Sequence, residues 1–400
     1  MTAIAPTTST GPTYVQSGLP TRKPTEEELD ILRMVDKTIS LHYNRRNELE
    51  MWKSLTNNGQ NKIYSVLGAG TYGVVISTQK PDGKYLAVKI SKGNVFNESI
   101  IKEGKNLERL HKLDPDFFVP YRESKEARFH TNLRCTTCCN LRPILVTDFG
   151  GDNVEKKYVS KNPHFNLQEF MQIVHQFLTL YTTMYYKKIE LGDIKPDNMV
   201  SGRNHKIKII DTADAHNFGD NKQDWYETSR PYRSPSVLCK QVDGGQTGFS
   251  LACSLAAILT GHTLFHYETF EKSTPELRMF TQLCQVFSFL HQPSSTFMKK
   301  ITPKWKSAVF GKTQHDQEEA MKILQGAYAK EPHKTPEHIL RKRIQAAISS
   351  DNPRVGIGNI DPQEFTDHFI DFLKQFMEYE TIPIPENLQK HPFLKYLQPS

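Results

Sequence analysis

The residues best suited to chemistry lie in the segment 191–198 (LGDIKPDN) and at the acid that ends the next strand-like run. Phosphoryl transfer needs a carboxylate near the attacking hydroxyl, oxygen ligands for Mg²⁺, and a cation over the transferring group. Asp193 can supply the first, Asn198 with Asp211 the second, and Lys195 the third. The spacing therefore predicts phosphoryl-transfer chemistry in this part of the chain.

A glycine-rich segment, residues 68–73 (GAGTYG), fits the pattern G-x-G-x-x-G, which two phosphate-binding designs share. In a dinucleotide fold a helix would follow, with an acidic residue about 20 positions later. Here residues 74–76 (VVI) and a hairpin follow, which predicts a β-turn-β flap. Glycine at positions Gly68, Gly70 and Gly73 would let backbone N–H groups approach triphosphate oxygens closely.

A lysine at the end of the next strand-like run, Lys89, places an ammonium group one hairpin beyond the flap. The helix predicted after it offers Glu103 as the carboxylate that orients this lysine, with Glu98 as the competing candidate. A lysine paired with a carboxylate can hold phosphate as a fixed point charge.

The elements that must position these groups begin with strands. Residues 63–67, 74–76 and 85–88 are rich in β-branched residues, and the turn signal 80–83 (KPDG) separates the last two runs, which predicts antiparallel pairing. A helix is predicted over residues 98–110, followed by further strands.

After residue 150 the pattern is mostly helical. One predicted helix carries an apolar face of Phe170, Ile173, Val174, Phe177, Leu178, Tyr181 and Met184. A strand-rich first part and a helix-rich second part, joined near residues 148–151, predict an α+β bilobed architecture.

The N-terminal region contains a tail and a helical extension. Residues 1–24 are rich in threonine and proline and carry too few large apolar groups to offset the entropy of ordering, so we predict a disordered tail. Thr25 and Glu28 form a capping-box pattern at the start of a helix. An apolar stripe behind it predicts that the extension docks on the main domain; the stripe is Leu29, Leu32, Met34, Val35 and Ile39.

Composition narrows the class of protein. The chain has 400 residues, 37% hydrophobic and 24% charged, with a net charge of +7 and six cysteines. These values are typical of a globular protein in a reducing compartment, without a disulfide framework. No apolar stretch reaches the ~18 to 20 residues of a membrane span, and no secretory leader pattern opens the sequence. We expect a cytoplasmic or nuclear protein with no specific affinity for nucleic acid.

Taken together, these motifs resemble those of a eukaryotic-type protein kinase over residues 62–396. Residues 193–198 (DIKPDN) are similar to the family's catalytic loop in its serine/threonine-specific form. Residues 232–235 (YRSP) resemble the end of the activation segment, with Ser229 at the position that shapes the substrate-facing loop, and residues 391–394 (HPFL) resemble the closing motif. The pair Tyr232-Arg233 resembles the corresponding residues of the kinase branch that contains mitogen-activated and dual-specificity tyrosine-regulated kinases.

The resemblance implies an ATP site and Mg²⁺, or Mn²⁺ in its place. Gly68, Ala69, Gly70 and Gly73 would cover the phosphates, and Lys89 would hold them. Adenine would lie in an apolar slot whose implied residues are Val75, Ala87, Val200, Thr147, Asp148 and Gly150.

The implied division of the chain is a disordered tail (1–24), a helical extension (25–61), a small antiparallel-sheet lobe (62–148) and a larger, mainly helical lobe (149–400). The implied partner is a protein substrate, and we expect a monomer.

The sequence departs from the family pattern at scaffolding positions. The His-Arg before the catalytic aspartate is replaced by residues 191–192 (LG), and Asp-Phe-Gly by residues 211–213 (DTA), which removes the aromatic that normally packs under the helix carrying Glu103. A buried Glu–Arg pair is lost at both ends, and the aspartate expected two before Phe249 is Thr247. Because every residue that would touch phosphate, metal or hydroxyl is present, we expect activity; the alternative is a pseudokinase that acts as a nucleotide-binding or scaffold module.

Two further patterns have competing interpretations. A zinc cluster could form from His130, Cys135, Cys138 and Cys139, because Cys135 and Cys138 have the Cys-x₂-Cys spacing of zinc ligands. The sequence contains no second Cys-x₂-Cys pair, so we favour reduced thiols in a loop over a metal site. The basic runs 299–300 and 341–343 are interpreted as solvated helix faces, with an acidic docking partner as the alternative.

Overall fold

The computed structural model describes residues 22–39, 45–130, 139–160, 163–220, 229–239, 245–265, 275–301, 332–349 and 353–397, with isolated positions between 307 and 323. The chain forms two compact units. The first contains the described residues up to Ile101 together with Arg122–Phe149, and the second contains Lys102–Tyr121 and the described residues from Gly150 onward.

A five-stranded sheet forms the centre of the first unit, with spatial order β1-β2-β3-β5-β4. Its strands are β1 Lys62–Ala69, β2 Gly73–Gln79, β3 Tyr85–Ser91, β4 Tyr121–His130 and β5 Cys139–Asp148. The pairs β1–β2 and β2–β3 are antiparallel, as predicted, and β5 pairs antiparallel with β3. At the predicted turn, the N–H of Gly83 donates to the carbonyl of Lys80 at 2.9 Å.

One face of this sheet is buried, because apolar residues alternate along the strands. Leu86, Val88 and Ile90 on β3 are buried, whereas the residues between them are half-buried. Helices α1 (Glu26–Ile39) and α2 (Arg45–Thr56) pack on that buried face through residues that include Leu32, Val35, Met51, Trp52 and Leu55. The N-terminal extension therefore docks on the sheet.

Glu28 fastens the extension to β1. Its buried carboxylate accepts two hydrogen bonds of 2.6 Å from the guanidinium of Arg22 and one of 2.8 Å from the N–H of Ile63. The predicted capping box is present, since the N–H of Thr25 donates to Glu28 and the N–H of Glu28 to the hydroxyl of Thr25. Arg22, which the sequence assigns to the tail, also lies 5.2 Å from the centre of the Trp52 ring.

The prediction that Met34 belongs to the buried apolar stripe is wrong. It is 58% exposed, because it lies on the helix face opposite Leu32 and Val35. Residues 1–21, to which most of the predicted tail belongs, lie outside the described residues, as do Cys135 and Cys138 of the cysteine cluster. The division of the chain at residues 24, 61 and 148 stays our proposal.

The second unit is mainly helical. Its helices are most of α3 (Asn97–Leu113), α4 Leu167–Lys187, α5 Pro235–Leu238, α6 Gln246–Thr260, α7 Pro275–Phe289, α8 Ser295–Lys300, α9 Pro336–Ser349, α10 Pro362–Phe376 and α11 Pro385–Gln389. Its short strands are β6 Asp152–Asn153, β7 Phe165–Asn166, β8 Ile189–Glu190, β9 Met199–Ser201, β10 Ile207–Ile209, β11 His216–Asn217 and β12 Val355–Gly356. Strands β6, β9 and β10 form one small sheet, β8 pairs with β11, and β7 with β12.

Helix α6 is the centre of this unit, since all of its residues from Gln246 to Thr260 are buried. The predicted apolar face of α4 is buried as well. The closing motif packs into the same unit: Phe393 is fully buried, and His391 accepts the N–H of Phe393 through Nδ1 while its Nε2 lies 2.9 Å from Asp371. The sheet in the first unit and the helices in the second confirm the predicted α+β architecture.

The basic run 341–343 is not simply solvated. Arg341 pairs with Glu337 at 3.0 Å and also contacts Asp367, and Arg343 donates to the carbonyl of Thr263 at 2.9 Å. These contacts connect α9 to its neighbours. In the described part of the chain, no helix combines the length and the hydropathy that a membrane-spanning segment requires.

Candidate active site

The predicted flap is the turn between β1 and β2. The N–H of Gly70 donates to the carbonyl of Gly73 at 2.9 Å and closes it, and Ala69 is the exposed last residue of β1. Gly73 is required by the sheet itself, because a Cβ there would lie 2.4 Å from the carbonyl oxygen of Ile90. At Gly68 and Gly70 a Cβ would meet nothing within 4 Å. The packing of this unit therefore does not explain those two glycines, whereas a bound phosphate chain would.

Four other predicted site residues share one face of the same sheet. Val75 pairs with Lys89, and Ala87 pairs with Thr147. Residues that face each other, or that lie two apart on a strand, point to the same side of a sheet. This is the face opposite to the one that α1 and α2 cover. An apolar surface with one ammonium group results, as the adenine and phosphate roles require.

Asp148 ends β5 and forms an ion pair with Arg122. The guanidinium Nε of Arg122 donates to one carboxylate oxygen at 2.6 Å, and a second nitrogen contacts the other oxygen. The side chain of Asp148 is thus already used within the first unit, so any contact with adenine at this position would involve the backbone.

In the second unit, the predicted catalytic residues form one cluster around Asp193. Lys195 Nζ lies 2.9 Å from Asp193 Oδ2 and also contacts the hydroxyl of Ser229. The amide nitrogen of Asn198 donates to the carbonyl oxygen and to Oδ2 of Asp193, at 2.9 and 3.0 Å. The N–H of Ser229 donates to Asp193 Oδ1 at 2.8 Å. Both carboxylate oxygens are therefore held in fixed directions.

Two short strands bring the predicted metal ligands to one end of a ladder. Strands β9 and β10 are antiparallel, and the N–H of Ile210 donates to the carbonyl of Asn198 at 3.1 Å. Asp211 follows directly, and its Oδ1 accepts the N–H of Ala213 at 3.2 Å. A carboxylate and an amide oxygen are the hard ligands that Mg²⁺ prefers. The amide nitrogen of Asn198 is used by Asp193, so its oxygen is the atom suited to a cation.

Val200 lies buried on β9 beside Gly150. A Cβ on Gly150 would lie 2.5 Å from Val200 Cγ2, so this close approach requires glycine. On α3, Glu103 is 1% exposed, whereas its competitor Glu98 is exposed. Burial favours Glu103 as the carboxylate with a specific partner, because buried carboxylates are rarely left unpaired.

Sequence reasoning missed Glu190. This buried carboxylate accepts the N–H of Gly245 and both the N–H and the hydroxyl of Thr247, the last two at 2.7 and 2.6 Å. The Thr247 hydroxyl in turn accepts the N–H of Leu191 at 2.9 Å. Burial raises the pKa of Glu190, which these hydrogen bonds oppose. The acid missing from position 247 is therefore replaced by Glu190, which directly precedes the catalytic loop. The sequence signal for this exchange was an acidic residue at position 190 together with the loss of the acid at position 247.

Gln246 is a second residue that the sequence did not reveal. Its amide nitrogen donates to the carbonyls of Tyr232 and Gly192, at 2.9 and 3.3 Å, and its oxygen accepts the N–H of Ser234 at 2.8 Å. One buried amide thus connects the catalytic loop, the end of the activation segment and helix α6.

Gly192 stands where the family has arginine, and the structure gives the reason for the change. Its φ is +77°, and a Cβ would lie 2.5 Å from the Cβ and 2.7 Å from the carbonyl oxygen of Asp214. A side chain at position 192 is incompatible with this backbone. Tyr226 lies three residues before Ser229 in the sequence, where the resembled branch carries a regulatory tyrosine, and it falls outside the described residues.

Comparison with known proteins agrees with this geometry. The protein kinase domain family matches residues 62–346, so the chain belongs to the protein kinase family. The N-terminal extension and the segment with the closing motif lie beyond the matched residues.

Similar proteins include mitogen-activated protein kinase 13 of Mus musculus, 24% identical over 60% of this chain and 61% of that protein. Mitogen-activated protein kinase pmk-1 of Caenorhabditis elegans is 27% identical over 36% of each chain. A homologue of dual specificity tyrosine-phosphorylation-regulated kinase 3 from Drosophila melanogaster is 35% identical over 25% of this chain and 12% of its own length. The matched region thus spans about three fifths or less of these relatives.

Proposed function

We propose that the chain is an active serine/threonine protein kinase that transfers the γ-phosphoryl group of ATP to a hydroxyl of a protein substrate. The observation that carries this proposal is the cluster of Asp193, Lys195, Asn198 and Ser229, in which both oxygens of one carboxylate are held by hydrogen bonds. A scaffold module would have no need of such a pre-organised carboxylate.

The predicted site residues of the catalytic loop, together with Asp211, each have a proposed role in the transfer. Asp193 orients the attacking hydroxyl and accepts its proton, and Lys195 stabilises charge on the group in transit. Asn198 and Asp211 would hold Mg²⁺, which neutralises phosphate charge when bound. The contact of Lys195 with the Ser229 hydroxyl fits the serine/threonine-specific form of the loop.

The remaining roles fall on the first unit and on α3. The turn at residues 68–73 would cover the phosphates through backbone N–H groups, and Lys89 would hold them. Glu103 keeps the orienting role that the resemblance implies for it. The face that carries Val75, Ala87 and Thr147 would receive adenine, and Val200 keeps the adenine role that the resemblance implies. The protein substrate, the monomeric state and a cytoplasmic or nuclear location are also proposed on this basis.

The test is transfer of label from [γ-³²P]ATP to a general protein acceptor with Mg²⁺ or Mn²⁺, followed by acid hydrolysis and separation of phosphoamino acids. We expect labelled phosphoserine or phosphothreonine. Label on tyrosine alone would contradict the proposed specificity. Binding of Mg-ATP without any transfer would favour the alternative, a nucleotide-binding scaffold.

A further inference from the structure

The segment that begins at Asp211 is attached to helix α3 by polar contacts. In the resembled family an aromatic follows the aspartate and packs under the helix that carries Glu103; here the residue is Thr212. It is 1% exposed, and its hydroxyl donates to the main-chain carbonyl of Glu103 at 3.1 Å. A side-chain hydroxyl therefore makes the connection that aromatic packing would otherwise make.

Asn106 adds a second connection, one turn further along α3. Its side-chain nitrogen lies 2.8, 3.4 and 3.1 Å from the carbonyl oxygens of Thr212, Ala213 and Ala215. All three of these residues are buried, so their carbonyls are screened from water. Buried carbonyls require a donor. The amide of Asn106 is shared by these three, and the carbonyl of Thr212 also accepts the N–H of Ala215 at 3.1 Å.

We propose that Asn106 and Thr212 are positioning residues, which together form a polar tether that holds Asp211 in register with the helix that carries Glu103. Only a few contacts connect Asn106 to Asp211. Asp211 Oδ1 accepts the N–H of Ala213, and the amide of Asn106 binds the backbone on both sides of that N–H. The inference rests on the proposed function, because it assigns what keeps the metal ligand and the lysine-orienting carboxylate in place.

The tether also replaces an input that regulated kinases require, namely the phosphate group that orders the activation segment. With the aromatic and the arginine before the catalytic aspartate both absent, residues 212–215 are held to helix α3 by hydrogen bonds within the second unit. These contacts are neutral and largely buried, so neither salt nor a phosphate group is needed to form them.

Four variants test the tether. Thr212→Val removes the hydroxyl at nearly constant volume, Thr212→Ser keeps it, and Asn106→Asp replaces the shared donor by an acceptor that faces three carbonyls. The matched control is Thr366→Val, since Thr366 is also fully buried but donates only to Pro362 of its own helix, at 2.7 Å.

We expect Thr212→Val and Asn106→Asp to raise amide hydrogen exchange over residues 212–216 by about tenfold, and to raise the Mg²⁺ concentration needed for half-maximal transfer by a similar factor. Thr212→Ser and Thr366→Val should match the wild type in both measurements. Exchange and Mg²⁺ dependence in Thr212→Val and Asn106→Asp that equal those of Thr366→Val would overturn the tether. The exchange experiment needs no activity, so a wild type without transfer would refute the proposed function and still leave the tether tested.

Discussion

At the scale of single residues, the clearest departures from the family have local compensation. The acid expected at position 247 is supplied by Glu190, and the arginine expected at position 192 cannot fit beside Asp214. At position 247 the loss is compensated by hydrogen bonds to Glu190, and at position 192 glycine fits the positive φ of the backbone. Both features argue against random decay of the catalytic loop.

Glu190→Gln is predicted to destabilise the protein by about 1 to 3 kcal/mol, because its amide group would oppose one of the N–H donors of Gly245 and Thr247. Urea unfolding measures this loss. Glu108→Gln, at a half-buried site on α3 where the carboxylate forms a surface ion pair with Lys112, serves as the control and should change the midpoint little. Equal midpoints for the two variants would show that Glu190 does not anchor the loop.

Gly192→Ala is predicted to cost about 1 to 3 kcal/mol of unfolding free energy, since it combines a positive φ with a 2.5 Å contact. Gly68→Ala should cost no more than about 0.5 kcal/mol, because a Cβ there meets nothing, yet it should raise the KM for ATP. Thermal unfolding and steady-state kinetics separate the two effects. A destabilised Gly68→Ala with an unchanged KM would remove the flap from the ATP site.

At the scale of elements, the N-terminal extension is fastened through one carboxylate. Burial opposes ionisation of Glu28, but hydrogen bonds from Arg22 and from the N–H groups of Thr25 and Ile63 outweigh it and lower its pKa from 4.5 to about 2. A lowered folded-state pKa means that the stabilisation is present above about pH 4.5 and is lost as the pH falls toward 2.

Glu28→Gln should therefore reduce the unfolding free energy by about 3 kcal/mol at neutral pH and flatten its dependence on pH below 4.5. The control is Glu27→Gln, exposed on the same helix. The free energy of unfolding, measured between pH 3 and pH 7 by denaturant titration at about one-unit intervals, decides the matter. An acid limb of unchanged slope in Glu28→Gln would contradict the assignment.

The elements themselves were largely predictable, and the tether was not. Strands, hairpin and α4 follow from periodicity, and the capping box of α1 follows from Thr25 and Glu28, because these signals are local in the sequence. The contact of Asn106 with Thr212 joins positions 106 residues apart, and the role of Glu190 depends on a helix that begins at Gln246. Single-sequence patterns carry no information on such pairings. Met34 shows the converse, since its hydrophobicity suggested burial but the helix turns it outward.

At the scale of the whole molecule, the absence of an arginine before Asp193 predicts activity without an activating phosphate, because such a phosphate would lack its usual anchor. Phosphatase-treated protein should retain its rate, and intact mass should confirm that no phosphate is left. A loss of more than about tenfold, reproduced by Tyr226→Phe, would show that phosphorylation of that tyrosine is required.

The central claim is that Asp193 performs chemistry in a site that binds ATP independently of it. The most direct measurement compares wild type with Asp193→Asn in two readouts, the dissociation constant for Mg-ATP and the rate of label transfer to protein. We predict similar dissociation constants and a transfer rate that falls by about 10²- to 10⁴-fold in the variant, the range typical of a lost general base. Equal transfer rates in the two proteins would contradict the claim.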